Sequence, residues 1–183
     1  MNKSREQLGQ KLTEKDYNAI LVALNETSLV SMTDARGDIL YANETFVRVS
    51  KYSLDELLGQ NHRILKSGHQ PDEMFVALWK TISSGGVWRG EIKNRAKDGS
   101  YYWVDTSIAP IPGEDGKPER YISVRVLITE KKKTEEDLSE QKNDLEKMNK
   151  FMVGRENKMT ELKGEIKRLR EELEELKKNH NAA

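Results

Sequence analysis

The sequence predicts an α+β fold: a five-stranded antiparallel sheet with helices on one face, preceded by one helix and followed by a much longer one. Three observations carry this. Two short strand patterns come first, then short helical segments and a longer helix, then three long strand patterns. All three tryptophans, all four prolines and most glycines fall within residues 25–129, which marks the compact part. Residues 130–183 hold no proline or tryptophan and balance 14 basic against 14 acidic residues, as a solvated helix would. The expected divisions are an N-terminal amphipathic helix over 1–24, a globular domain over 25–129 and a coiled-coil helix over 130–183.

Each element has a local reason. Leu8, Leu12, Tyr17, Ile20, Leu21 and Leu24 fall close to one helical stripe. "LVSMTD" and "DILYA" are strand-like and are joined by a turn at "ARGD". Asn43 can cap the helix "ETFVRVS", and Ser53 with Glu56 forms a capping box for a helix that Gly59 stops. In "QPDEMFVALWKTISSGG" Pro71 suits the first turn. Met74, Phe75, Leu78, Trp79 and Ile82 make its buried stripe, and the glycine pair ends it. "VWRGEIKNRAK", "SYYWVDTSIAP" and "RYISVRVLI" are long strands linked by "KDG" and "GEDGKPE". Finally, Leu145, Met148, Met152, Met159, Leu162, Ile166, Leu169, Leu173 and Leu176 alternate at spacings of three and four, interrupted only at Arg155. So narrow a seam is buried only against another helix, so a parallel homodimeric coiled coil is expected.

Composition narrows the function. Apolar residues make up 36% and charged residues 34%, with 31 basic and 31 acidic residues and no net charge. There is thus no broad footprint for nucleic acid or an anionic membrane. No apolar run would cross a bilayer and "MNKSREQLGQ" lacks a secretory apolar region, so a soluble, cytoplasmic chain is expected. With no cysteine, thiolate, disulfide and iron–sulfur chemistry is excluded, and His62, His69 and His180 are too few and too scattered for a structural metal. The function would have to come from a bound cofactor or from binding alone. The chain is not expected to be an enzyme by itself.

"ILYANETFVRVSKYSLDELLGQNHRILKSG" followed by "WRGEIKNRAKDGSYYWVDTSIAPI" resembles a PAS sensor domain over about residues 22–130. The resemblance is nearest to the flavin-binding redox and oxygen sensors of aerotaxis, nitrogen fixation and methane-monooxygenase regulation. Light-sensing LOV relatives carry asparagine–cysteine–arginine in the loop where this chain has Asn61–His62–Arg63, and that cysteine attacks the excited flavin. Histidine there excludes adduct photochemistry but not flavin binding.

The resemblance implies a set of cofactor-binding residues. Asn94 matches a strand asparagine of flavin-binding PAS and LOV domains; an amide offers the donor and acceptor that a flavin's pyrimidine edge needs. Arg63 can grip phosphate, or pair with a surface carboxylate. Asn61 can hold the flavin edge or ribityl chain, or cap its loop. Trp88, in "WRG", matches a family tryptophan that walls the ring system or an adenine, or is an ordinary sheet residue. Arg125 stands where LOV domains keep a flavin-facing glutamine; it either favours negatively charged reduced flavin or lies on the opposite sheet face. His62 is a flavin neighbour, a partly exposed loop residue or, with His69 as the other candidate, a haem ligand. Where many PAS domains end in aspartate–isoleucine–threonine–glutamate, this chain has "LITE", with Leu127 in place of the aspartate.

The expected function is a sensory module that binds FAD noncovalently, with FMN as the second choice. It would report redox state or oxygen through the dimeric coiled coil to an output domain such as a histidine kinase, in a two-component system. The alternatives are a cofactor-free PAS dimerisation module and a haem-based gas sensor.

Overall fold

The computed structural model describes residues 13–181, with side chains to residue 174. Leu8 and Leu12 of the N-terminal stripe, and the side chains of Leu176 and His180, lie outside the described residues. The described residues form two compact units that divide between Lys132 and Lys133.

In the first unit, α1 (Glu14–Thr27) is opened by a Thr13–Asp16 capping box. None of its residues is buried, so Tyr17, Ile20 and Leu21 form an exposed apolar stripe. Then come β1 (Leu29–Asp34), β2 (Ile39–Ala42), α2 (Glu44–Ser50), α3 (Leu54–Leu57) and α4 (Asp72–Ser83). β3 (Trp88–Arg95), β4 (Tyr101–Pro112) and β5 (Pro118–Leu127) complete the sheet. The strand order is β2-β1-β5-β4-β3, antiparallel throughout. This is the expected α+β architecture.

The local signals explain the joints. The Ser53–Glu56 capping box forms as expected, and Gly59, at φ 74°, turns the chain away after α3. Pro71 sits at the N-cap of α4 rather than inside its first turn. Leu29, Ile39, Phe46, Leu57, Leu65 and Val104 are fully buried in the main core, while Leu78, Ile82, Ile108 and Tyr121 form a second cluster with Phe75 and Trp88. One expectation for α4 needs correcting: Leu78 and Ile82 are buried, but Trp79 is 39% exposed. Helical spacing puts Trp79 on the inward side, and at that height the inward side meets a cavity instead of packed side chains.

The last helix, α5 (Thr129–Asn181), begins against the sheet: Ile128 N donates to Trp103 O at 2.9 Å, and Trp103 N donates to Thr129 Oγ1 at 2.9 Å. Lys132 pairs with Glu91 at 2.5 Å. In the second unit, Leu145, Met148, Met152, Met159, Leu162, Ile166, Leu169 and Leu173 are exposed along α5. No helix of the described residues is long and apolar enough to cross a membrane.

Asn43 ties the helical side to the sheet. Its Oδ1 accepts from Phe46 N at 2.9 Å and Val30 N at 3.0 Å, and its Nδ2 donates to Ser28 O at 2.8 Å. Asn43→Ala leaves two buried amides without an acceptor and is expected to cost about 3 kcal/mol in urea unfolding. Asn43→Asp, which keeps the acceptor, is expected to cost less. A loss under about 0.5 kcal/mol for the alanine variant would show that this tie does not matter.

Candidate ligand cavity

A cavity of about 620 Å³ opens against the inner face of the sheet, within the range of small-molecule sites. The segment 59–66 forms part of its wall, and backbone hydrogen bonds hold that segment in place. Gly59 N donates to Ile39 O at 2.8 Å, Ile39 N to Gln60 O at 2.9 Å and His62 N to Gly37 O at 2.9 Å. Residues His62–Leu65 make one short 3₁₀ turn capped by Asn61, whose side chain accepts from Arg63 N at 3.3 Å. Lys66 then bridges Asn94 on β3, so the segment spans from the β1–β2 turn to the far edge strand.

Arg125 dominates the interior. It lies on the inner face of β5 with 4% exposure, resolving the two sequence readings in favour of the inner face. Nη1 donates to Ser31 Oγ at 2.9 Å and Nη2 to His62 Nε2 at 2.9 Å, and the guanidinium carbon lies 5.6 Å from the centre of the Phe46 ring. None of these partners is an anion, and among the described residues no carboxylate pairs with Arg125. Burial lowers its pKa to about 10, with the nearby Tyr102 phenol opposing the shift, so the guanidinium stays charged at neutral pH. A buried cation without a counter-ion is costly unless a ligand supplies the missing charge or acceptors.

His62 is fixed by this arrangement. Guanidinium nitrogens only donate, so Nε2 accepts and the ring proton sits on Nδ1. Ser31 Oγ, 3.3 Å from Nε2, accepts from Arg125 and can point its own proton at the imidazole. The ring meets Phe46 edge-on at 5.7 Å. His62 is half-buried, and the surface it keeps faces the cavity. Burial, then the Arg125 charge, pushes its pKa from 6.5 down to about 3. His62 is thus a half-buried residue of the 59–66 segment whose imidazole is a neutral acceptor in the cavity wall. For the haem alternative, His62 Nε2 is engaged by Arg125, while His69 is exposed and rests edge-on against Trp103 at 5.0 Å.

Asn94 is 6% exposed on β3, lines the cavity and makes no side-chain hydrogen bond with the described residues. Across the β3–β4 pairing it faces Tyr102. Burial raises the Tyr102 pKa to about 12; Asn94 is near enough to oppose that shift in part, yet the two lack hydrogen-bond geometry. The Tyr102 hydroxyl and Thr106 Oγ1 are both buried without a partner. The sheet thus holds two buried hydroxyls without a partner, which in native proteins call for one.

The remaining predicted residues divide. Arg63 is exposed at the cavity wall, its Nε donating to Asn61 Oδ1 at 2.8 Å, with no carboxylate partner among the described residues. Asn61 lines the cavity, but its amide is committed to Arg36 O at 3.0 Å and Asp38 Oδ1 at 2.9 Å, so its work is largely to shape the loop. Trp88 is not among the lining residues. Its ring lies over Gly90, where a Cβ would come within 2.7 Å, and packs on the Ile82 cluster. Sequence reasoning missed Arg36 and Ser123 at the cavity and Ser31 behind Arg125, and placed Trp79 in the core. Ser31 and Ser123 carried a faint signal, being small polar residues flanked on both sides by apolar ones.

His62 binds its proton near pH 6.5 in the unfolded chain and near pH 3 in the folded one. Its depressed folded pKa contributes stability that is full above pH 6.5 and is lost as pH falls from 6.5 towards 3, at up to about 1.4 kcal/mol per pH unit. His62→Gln keeps an acceptor for Arg125 and does not titrate. Denaturant unfolding of wild type is therefore expected to weaken more steeply with acidification than that of the variant; parallel profiles would contradict this assignment.

A family model described as the PAS fold matches residues 39–125. The nitrogen fixation regulatory protein of Klebsiella pneumoniae is 36% identical over 121 residues, covering 66% of this chain and 24% of that protein. The aerotaxis receptor of Escherichia coli (strain K12) is 41% identical over 106 residues, covering 58% of this chain and 21% of the receptor. The chain thus spans about a quarter of the length of these relatives. Among solved structures, an RNA-binding light-oxygen-voltage receptor aligns with a TM-score of 0.61 at 22% identity, over 74% of this chain and 40% of that one. A PAS domain from a Colwellia psychrerythraea protein aligns with a TM-score of 0.56 at 23% identity, over 62% of this chain and 98% of that one. Family match, relatives and sheet architecture agree: this chain carries a PAS domain.

Proposed function

We propose that the domain is a redox- or oxygen-responsive sensor that binds a flavin noncovalently, FAD by preference, and passes its state to a dimeric coiled coil. The observation that carries this reading is the Asn94 amide, buried beside Tyr102 in a cavity wall that also holds two guanidinium groups without carboxylates, Arg125 inside and Arg63 at the surface. A flavin matches such a donor set: its pyrimidine edge wants an amide, its ring takes up charge, and its phosphate wants an exposed arginine. The resemblance of "QNHRIL" and "IKNRAKDG" to flavin-binding PAS domains points the same way.

A bound flavin would supply the electron acceptor. The protein's part is positioning and electrostatics. Asn94 orients the ring edge, Arg125 lowers the free energy of added negative charge, and neutral His62 holds Arg125 without cancelling its charge. Asn61 braces Arg63 for phosphate. Arg125 also lies four residues before Thr129, where β5 gives way to α5. A change in the hydrogen bonds of Arg125 thus acts on the strand that leads into the signalling helix, a two-state element that can drive an output domain. The chain would then be the sensory part of a longer signalling protein, with a histidine kinase as one possible class of output and no catalysis of its own. The divisions we propose remain 1–24, 25–129 and 130–183, in a cytoplasmic setting.

The absorbance spectrum of purified chain equilibrated with FAD tests the main reading. Bound-flavin bands are expected, and Asn94→Ala should weaken retention by about tenfold or more with the fold intact by circular dichroism. A colourless protein that takes up no flavin would sink it, and a Soret band would favour haem. The coiled coil is tested separately. The chain lacks cysteine, so Leu169→Cys, at a seam position well away from the seam's centre, is expected to give a disulfide dimer under mild oxidation if two helices run parallel and in register. Exclusively monomeric product at micromolar concentration would contradict the parallel dimer.

A further inference from the structure

Trp79 has no role in the mechanism above, yet its indole stands at the cavity wall with 39% of its surface exposed. Two contacts fix it there. On one side its ring meets Tyr121 edge-on, at 5.8 Å and 82°. On the other it is close-packed under Gly37, where an added Cβ would come within 3.1 Å of the ring. Gly37 has φ +90°, a conformation that admits glycine at little cost, so the turn can approach the indole this closely. The same point on Gly37 lies 3.4 Å from Asn61 Nδ2, and Asn61 Oδ1 holds Arg63. Trp79, Gly37, Asn61 and Arg63 are therefore contiguous: a partly exposed aromatic face next to a guanidinium without a carboxylate partner among the described residues.

From this juxtaposition we infer that Trp79 is an outer base-stacking subsite, which makes the cavity selective for a ligand with a second aromatic ring beyond its phosphate, an adenine dinucleotide rather than a mononucleotide. This rests on the flavin reading and deepens it. An indole held by neighbours on two sides loses little freedom when a base stacks on it, and base–aromatic stacking is tolerant of which base is present. Arg63 beside it would take the bridging phosphates, placing the second ring over Trp79. Arg36, also at this wall, is already engaged with Asp34 at 3.4 Å and contributes less charge.

The test is titration of the flavin-free full chain with FAD, FMN and riboflavin, for wild type, Trp79→Ala and Trp79→Phe. Wild type is expected to bind FAD at least about tenfold more tightly than FMN. Trp79→Ala should bring FAD down to the FMN level while FMN affinity stays unchanged, which also shows that the variant is folded; Trp79→Phe should keep most of the preference. Equal FAD and FMN affinities in wild type, an unchanged ratio in Trp79→Ala, or equal losses of FAD and FMN binding would each overturn the subsite while leaving flavin binding in place. Failure of all three flavins to bind wild type would overturn the flavin reading and the subsite with it.

Discussion

The site depends on one buried cation. Arg125 reaches the inner face of the sheet from β5 and is held by Ser31, His62 and the face of Phe46, all uncharged. A carboxylate in their place would neutralise the guanidinium and remove most of its pull on a ligand. Neutral partners take up two of its N–H groups and leave its charge uncompensated. The cost of that burial falls on the surrounding fold: His62 must stay unprotonated, and the 59–66 segment must be pinned so that its imidazole cannot swing away.

The same constraint orders the rest of the cavity. Phe46 is placed by α2, which Asn43 ties to β1; Ser31 comes from β1 itself; His62 comes from the braced 3₁₀ turn. Three separate chain segments thus converge on one β5 side chain. Because β5 continues through Ile128 into the helix anchored at Trp103, the strand that carries the charge also carries the exit from the domain. Under the proposed function, the group that would register ligand charge sits on the strand that leads into the last helix.

Much of this was legible in the sequence where the signal was local. Capping residues, the Gly59 stop and the five strands follow from short-range chemistry, and the long last helix follows from period and composition. Asn94 stood out because an amide is poorly suited to a strand interior. What was not legible is which side of a strand is inside. On β5 the inner residues are Tyr121, Ser123 and Arg125, while Ile122, Val124 and Val126 point the other way. Polarity is inverted because the inner face borders a cavity, so alternation alone left Arg125 open. Trp79 misled for a related reason: helical spacing reports the inward side but cannot tell packed core from cavity wall. Asn61 and His62 depended on partners 23 and 63 residues away, which no local pattern reveals.

The central claim is that uncompensated charge at Arg125 acts on the bound ligand. Its most direct test is the midpoint reduction potential of flavin bound to wild type and to Arg125→Gln, measured with affinity determined on the same samples. Glutamine preserves hydrogen bonding but removes the charge, so the potential is expected to become more negative in the variant while flavin remains bound. An unchanged or more positive potential would contradict the account.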